Sequence, residues 1–263
     1  MDALAVFSGA VAGLLGLAVG SFLNVVIVRV PRGESLLIAS HCPHCDARIR
    51  PRHNVPVVSW LLLRGRCHDC RAPIPPRYPL IEMATALAFV AVTAWAGPGA
   101  LGAALCLFAA ASIALAVIDV RTHRLPDAIV GPSYVIAAVL LTTASATTGD
   151  LRPLVRGLAG LVLLGGGYYL VHRVRPDGMG RGDVKLAGLI GLVTGYVGWA
   201  ALVVGGFAAF VLAGGYGIAL ISTGRAGRHS GLAFGPWMLA GGWVGLLLGT
   251  PVATGYLQVS GLA

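Results

Sequence analysis

An all-α, polytopic membrane fold of about eight transmembrane helices is predicted by three observations: an apolar composition, its gathering into long runs, and a one-sided placement of basic residues. Of 263 residues, 57% are hydrophobic and 11% are charged, against about 45–50% and 25% in soluble domains. Mean hydropathy is +0.83. Predominantly apolar runs suited to about 30 Å of hydrocarbon cover 3–28, 79–96, 100–118, 128–147, 154–171, 184–195, 197–222 and 231–258. The sixth is short. Only Thr194-Gly195-Tyr196 parts it from the seventh, so seven helices are the alternative count.

Charge placement favours eight. Of the 19 Lys and Arg, nine fall in the first loop and two, Arg121 and Arg124, follow the third run. Four (Arg173, Arg175, Arg181, Lys185) surround the fifth-to-sixth connection, and Arg225 and Arg228 follow the seventh run. Only Arg152 and Arg156 fall on the opposite side. Basic loops stay cytoplasmic, which puts the N-terminus outside. Merging the sixth and seventh runs would send Arg225 and Arg228 outside. The net charge of +9 follows from this bias and from attraction to anionic lipid, so a nucleic-acid partner is not expected.

The first run has no basic residues before it, extends 26 residues from Ala3 to Val28 and is followed by a basic loop. It reads as a retained helix and not a cleaved secretory signal. The expected organisation is a first transmembrane helix over 1–28, a cytoplasmic loop over 29–78, and a membrane domain over 79–263.

The loop 29–78 holds HCPHC at 41–45 and RCHDC at 66–70. Cys42, Cys45, Cys67 and Cys70 form C-x2-C-x21-C-x2-C, one residue beyond the usual zinc-ribbon spacing. Two such knuckles can offer four thiolates tetrahedrally, and in a reducing cytoplasm structural Zn2+ is favoured over a disulfide pair or free thiols. Four cysteines would fill the shell, which argues against catalysis at the metal. A loop of this size has too small a core to fold alone. His41, His44 and His68 are read as solvated neighbours, and Cys106 in the third run as a small buried hydrophobe. The predicted fold class is therefore an all-α polytopic membrane protein with a small cytoplasmic zinc-binding insertion between its first and second helices.

Ionisable groups at membrane spans are costly, which makes Glu82, Asp119, Asp127 and Asp183 candidate functional residues. Asp119 ends the third run after 19 uncharged residues, Ala100 to Ile118, and Asp183 opens the sixth. Topology puts both at the cytoplasmic face. Two acids sharing a low-dielectric site do not both ionise easily, so one holds a proton while the other takes one from water. Structural readings stay open: Asp183 as a helix N-cap, Asp119 as a helix-end residue paired with Arg121 or Arg124. Gly178, Gly180 and Gly182 free the backbone before Asp183, though among 38 glycines a GxG is weak evidence alone. Lys185 is the only lysine beside 18 arginines, suited to touching substrate, tuning the acid or meeting a phosphate headgroup. In RLPD, Pro126 suits a first helical turn, with Asp127 near the positive end of the helix dipole. Glu82, in RYPLIE, is expected to pair with Arg77.

GSFLNVVIVRVP at 20–31, HCPHC, NVPVVSWLLLRGRC at 54–67, RYPLIE at 77–82, IDVRTHRLPD at 118–127, GMGRGDVKL at 178–186 and FGPWMLAGGW at 234–243 form an ordered series. Together they resemble the type IV prepilin leader peptidases, bifunctional membrane enzymes that cleave and N-methylate pilin-like precursors. The resemblance implies a GxGD-class aspartyl protease of the bacterial inner membrane with Asp119 and Asp183 as the catalytic pair. Gly180, Gly182, Lys185 and Asp127 are read from their positions as active-site support, Asp127 in the first place as a helix cap. Implied substrates are precursors of type IV pilins or type II secretion pseudopilins, cut after a glycine where a basic leader meets an apolar helix at the cytoplasmic face. S-adenosylmethionine is the implied methyl donor, and no residue of the sequence is assigned to hold it. A peptidase without methyl transfer, a proton- or cation-coupled transporter, and a membrane anchor whose zinc module recruits a partner are the competing functions.

Overall fold

The computed structural model describes residues 3–176, 178–225 and 231–261; Arg228 and the outermost residues of the expected 1–28 and 79–263 segments lie outside them. The described residues form nine α-helices: α1 (Ala3–Arg29), α2 (Val58–Leu62), α3 (Arg77–Ala96), α4 (Ala100–Thr122), α5 (Asp127–Thr148), α6 (Arg152–Val174), α7 (Arg181–Val197), α8 (Trp199–Ser222) and α9 (Gly235–Val259). Among these residues there is no strand, only the isolated bridges His41–Arg48 and Arg66–Pro73. Seven helices are long and apolar enough to cross a membrane, namely α1, α3, α4, α5, α6, α8 and α9. A helix pairs its backbone groups within itself, as hydrocarbon requires. The chain is a multi-pass membrane protein.

The eighth long helix is α7, whose 17 residues span only about 25 Å at 1.5 Å per residue. It does not end at Thr194-Gly195-Tyr196, as expected, but at Gly198, whose extended backbone separates it from α8. Two contacts account for the shift. Gly195 packs inside the fold against the Arg156 carbonyl, Gly157 and Gly160, a close helix approach and not a break. The Arg156 guanidinium donates to the Gly195, Tyr196 and Val197 carbonyls at 2.7, 2.6 and 3.2 Å. These are orphan carbonyls at the helix C-terminus, where positive charge is also favourable. Every residue from Leu186 to Tyr196 is buried, the mark of a helix enclosed by its neighbours.

Contacts divide the chain into two compact units, Met1–Ala114 and Leu115–Ala263. In the first, α1 and α3 run antiparallel: Gly13 faces Val90, Gly16 faces Ala86 and Gly20 faces Glu82. In the second, α6 and α7 are antiparallel, with Gly157 near Tyr196, Gly160 near Gly191 and Gly165 near Gly188. The pair α8 and α9 is likewise antiparallel, with Gly205 near Gly241 and Ala201 near Gly249. Lipid tails are as apolar as leucine, so association between such helices depends on close van der Waals packing, which small residues permit.

The α6–α7 crossing tests this account. A Cβ at Gly160 would run into the Gly191 carbonyl oxygen, whereas a Cβ at Gly167 meets nothing within 4 Å. Gly160→Ala is expected to destabilise the fold by about 1–3 kcal/mol and lower the thermal midpoint in detergent, with Gly167→Ala at or above wild type; equal midpoints would refute the packing account.

Candidate functional site

The second unit gathers the last turn of α4 and the starts of α5, α7 and α9. Asp119 lies in the last turn of α4 and is buried. One oxygen, Oδ2, accepts the backbone N–H of Gly235 at 3.0 Å. Gly235 is the first residue of α9, so its N–H is one of the donors that a helix start leaves unpaired, and it lies at the positive end of the helix dipole. The pairing with Arg121 or Arg124 held open by the sequence is replaced by this contact. A Cβ on residue 235 would lie 2.7 Å from the same oxygen and 3.3 Å from Leu125 Cδ2. The α4 helix ends at His123 in a left-handed conformation, φ 49°, and the chain turns through Leu125 and Pro126 into α5.

Asp183 occupies the third position of α7 and is half-buried. It is not the N-cap residue; Gly180 is. Asp183 Oδ2 accepts the Gly180 N–H at 3.0 Å, and the Asp183 N–H donates to the Gly180 carbonyl at 3.1 Å. A carboxylate at this position reaches back to pair an exposed donor, as in a capping box. Gly182 lies against Leu125, whose Cβ is 3.0 Å from where a Gly182 Cβ would stand. Leu125 therefore touches both Gly182 and Gly235, the neighbours of the two acids. The Asp119 charge acts on Asp183, which sets the two carboxylates within Coulombic reach.

Asp127 and Lys185, read separately from the sequence, form one ion pair: Lys185 Nζ is 2.7 Å from both carboxylate oxygens. It links the first residue of α5 to the first turns of α7. Half-exposed as it is, such a pair contributes about 1 kcal/mol or less; its effect is to fix the two helix starts. Tyr134 adds a second tie, donating from its hydroxyl to the Lys185 carbonyl at 2.6 Å. Pro126, expected inside the first turn, is instead the N-cap with ψ 132°, and Asp127 follows it.

Sequence reasoning missed Gly235 and Leu125. The signal for Gly235 was present in FGPW, since proline at an early helix position marks a helix start. Leu125 carried no signal, because its role is a contact between segments distant in sequence.

In the first unit, Cys42, Cys45, Cys67 and Cys70 come together, with all four Sγ atoms within 4.8 Å of one another. Two knuckles of like construction hold them. Cys42 N–H donates to Ala47 O at 2.9 Å, and Cys67 N–H to Ala72 O at 2.8 Å. Asp46 and Arg71 take the matching left-handed turns, φ 57° and 62°. Tetrahedral Zn–S bonds of about 2.3 Å imply S···S separations of about 3.8 Å, and Cys42 Sγ lies 3.8 Å from Cys70 Sγ. The donor set fits a thiophilic divalent ion. The His44 backbone N–H, with further hydrogen bonds and against the opposing effect of burial, brings Cys42 down to about 7. At Cys45 the Ala47 N–H lowers the value, but the Cys70 and Cys42 thiols and burial prevail and push it up to about 12. Metal binding must therefore displace protons from the cluster. Cys106, expected to be buried, is half-exposed in α4 and stands apart from the four.

Glu82 departs from its expected pairing with Arg77. It is buried and accepts the Val57 N–H at 2.7 Å, while the Arg77 guanidinium lies over the Tyr78 ring, 5.1 Å from its centre.

Residues 14–96 match the model of the Bacterial Peptidase A24 N-terminal domain and residues 106–218 that of the Type IV leader peptidase family. A prepilin leader peptidase/N-methyltransferase of Stutzerimonas stutzeri is 33% identical over 275 residues, 95% of this chain and 93% of its own. Proteins of the same name from Burkholderia pseudomallei (strain 1026b) and Pseudomonas aeruginosa are 36% and 32% identical, covering 94% of this chain in each case and 87% and 93% of their own lengths. No solved structure matches. With both halves of the sequence matched and the acids at the junctions of four helix ends, the chain belongs to the type IV leader peptidase family.

Proposed function

We propose that this protein is a prepilin peptidase that also N-methylates the amino terminus it creates, with Asp119 and Asp183 as the catalytic acids. The observation that carries the peptidase reading is the pair of carboxylates, each held through one oxygen by a helix-start N–H, Gly235 for Asp119 and Gly180 for Asp183. Of two acids within Coulombic reach, one stays protonated while the other is a base. The base takes a proton from water, whose oxygen attacks the scissile carbonyl carbon; the protonated acid gives its proton to the carbonyl oxygen. Collapse of the tetrahedral intermediate breaks the C–N bond as a proton passes to the leaving amine. Gly180 and Gly182 leave room for the Asp183 carboxylate and Leu125 beside them, and the Asp127–Lys185 pair holds the starts of α5 and α7.

The methylation reading rests on the relatives' shared name and on alignment through both matched regions. Substrates are then type IV pilin or type II secretion pseudopilin precursors, cut after a glycine between a basic leader and an apolar helix. S-adenosylmethionine supplies the methyl group. The positive-inside bias orients the chain in the bacterial inner membrane with its N-terminus outside and the cysteine module and both aspartates at the cytoplasmic face. By the same reading, 1–28 anchors the cysteine module of 29–78, and 79–263 carries the acids. Zn2+ is the ion for the four cysteines, with a structural role, because four thiolates leave no open position.

Purified full-length protein incubated with a prepilin and S-adenosylmethionine, with products weighed by mass spectrometry, tests both activities. Loss of the leader together with a gain of one methyl group is expected; leader loss alone would remove the methylation reading, and intact precursor the peptidase reading. Asp119→Asn and Asp183→Asn are each expected to slow cleavage by about 10²–10⁴-fold, and full activity in either would sink the assignment. Gly235→Ala, which pushes a methyl group against Asp119 Oδ2, is expected to cost about 10–100-fold in cleavage rate with the metal content unchanged. Elemental analysis should find about one Zn2+ per chain, lost when Cys42 and Cys67 are both changed to Ser; a metal-free native protein contradicts the cluster reading.

A further inference from the structure

One peptide group, between Met179 and Gly180, is hydrogen-bonded on both sides. Its N–H, that of Gly180, donates to Asp183 Oδ2 at 3.0 Å. Its carbonyl, that of Met179, lies 2.7 Å from His172 Nδ1. A carbonyl oxygen only accepts, so the imidazole carries a proton on Nδ1. His172, the Met179–Gly180 peptide and the Asp183 carboxylate therefore form an unbroken chain of donors and acceptors, from the last turn of α6 to the first turn of α7. The register of the two helices brings it about. They run antiparallel with Gly165 beside Gly188; about two turns farther along α6 and two turns back along α7, His172 comes level with Arg181, the first residue of α7.

The peptide that His172 meets needs such a hold. A Cβ on residue 180 would stand 3.2 Å from Asp183 Oδ2, closer than ordinary van der Waals contact, so the approach of the acid favours glycine there. Glycine has a cost at this point. It takes φ of either sign, and the plane before it can turn over by opposite rotations about the Met179 ψ and the Gly180 φ, with little movement of the neighbouring residues. Gly180 holds φ −71°. With the plane turned over, the Gly180 N–H would point away from Asp183 and the Met179 carbonyl would face the acid in its place. Two other contacts hold this segment: the Gly178 N–H donates to the Arg175 carbonyl at 3.1 Å, and the Met179 side chain is buried. Both lie before the plane and leave it free to turn. The bond from His172 to the Met179 carbonyl fixes it.

We propose that His172 is a positioning residue of the aspartate site, holding the Met179–Gly180 peptide plane with its N–H aimed at Asp183. The proposal rests on the reading that Asp183 is one of the two catalytic acids. His172 reaches that acid only through the peptide and adds no reacting group. A bond accepted at the carbonyl also polarises the N–H of the same peptide, which strengthens its contact with the carboxylate. The effect falls on the orientation of Asp183 and not on the grip on the substrate, so it is read in turnover and not in affinity.

Two substitutions of matched shape test it, since Asn and Leu branch alike and only Asn offers an N–H near the place of Nδ1. In steady-state cleavage of a prepilin by the full-length protein, His172→Leu is expected to lower kcat about tenfold or more with KM within about threefold, the effect of a misplaced reacting group. His172→Asn is expected to keep kcat within about threefold of wild type. Thermal midpoints of the same preparations report folding. Equal kcat in the two folded variants, whether both slow or both unimpaired, would overturn the proposal and leave the peptidase reading standing. A wild-type protein that leaves its precursor intact would instead remove the peptidase reading. The ring nitrogens supply a check on the wild type, whatever the stability of His172→Leu. With ¹⁵N-labelled histidine in detergent, the one signal among the seven histidines that vanishes in His172→Asn should carry its proton on Nδ1; a ring protonated on Nε2 alone would overturn the proposal.

Discussion

Within hydrocarbon a backbone N–H is available for chemistry only where a helix begins, because every later one is taken by the carbonyl four residues back. The second unit is arranged around that scarcity. Two of its helix starts, α7 and α9, each direct an N–H to a carboxylate oxygen, from Gly180 to Asp183 and from Gly235 to Asp119. Both acids are thereby held by rigid backbone. Long side chains, with their freedom to move, take no part in these contacts. The arrangement also explains why the supporting positions are glycines. At residue 235 any Cβ would meet Asp119, and at residue 182 it would meet Leu125. The α5 start is fixed in the same region by a different means, the ion pair from Asp127 to Lys185, so that three helix starts share one neighbourhood.

That arrangement dictates the shape of α7. Its first turn must reach Asp119's surroundings, and its remaining length is enclosed on all sides, with Thr194 and Leu186 wholly buried. A helix so enclosed can be shorter than the bilayer is thick only if its last carbonyls find partners inside the protein. Arg156 provides them. A residue that counts against the charge bias in the sequence is, in the fold, the C-terminal cap of the helix that carries Asp183.

Much of this was legible in the sequence, and for identifiable reasons. Apolar runs give helix positions because the bilayer imposes a length, and the observed helices begin and end within about four residues of the runs. The two CxxC pairs reveal their cluster because spacing constrains the knuckle directly. The carboxylates stand out because charge at a membrane span is rare. What stayed hidden are contacts made by groups without a signature. The Gly195 break was misread because glycine serves both helix ends and helix crossings, and only the presence of α6 against it decides which. Glu82 was assigned to Arg77, five residues away on one helix, whereas its partner Val57 offers a backbone N–H that no sequence pattern announces. Lys185 stood out by its uniqueness, yet its partner lies 58 residues earlier.

Peptide cleavage needs carboxyl groups that exchange protons with water and substrate, which favours a close pair whose charges disfavour joint ionisation. Asp119 and Asp183, the acids proposed for cleavage, lie within Coulombic reach. Glu82 is placed differently: it lies in the first unit, buried, and accepts the Val57 N–H of the cysteine loop. The three carboxylates thus differ in their partners more than in their burial: a helix-start N–H for each aspartate and a loop N–H for Glu82.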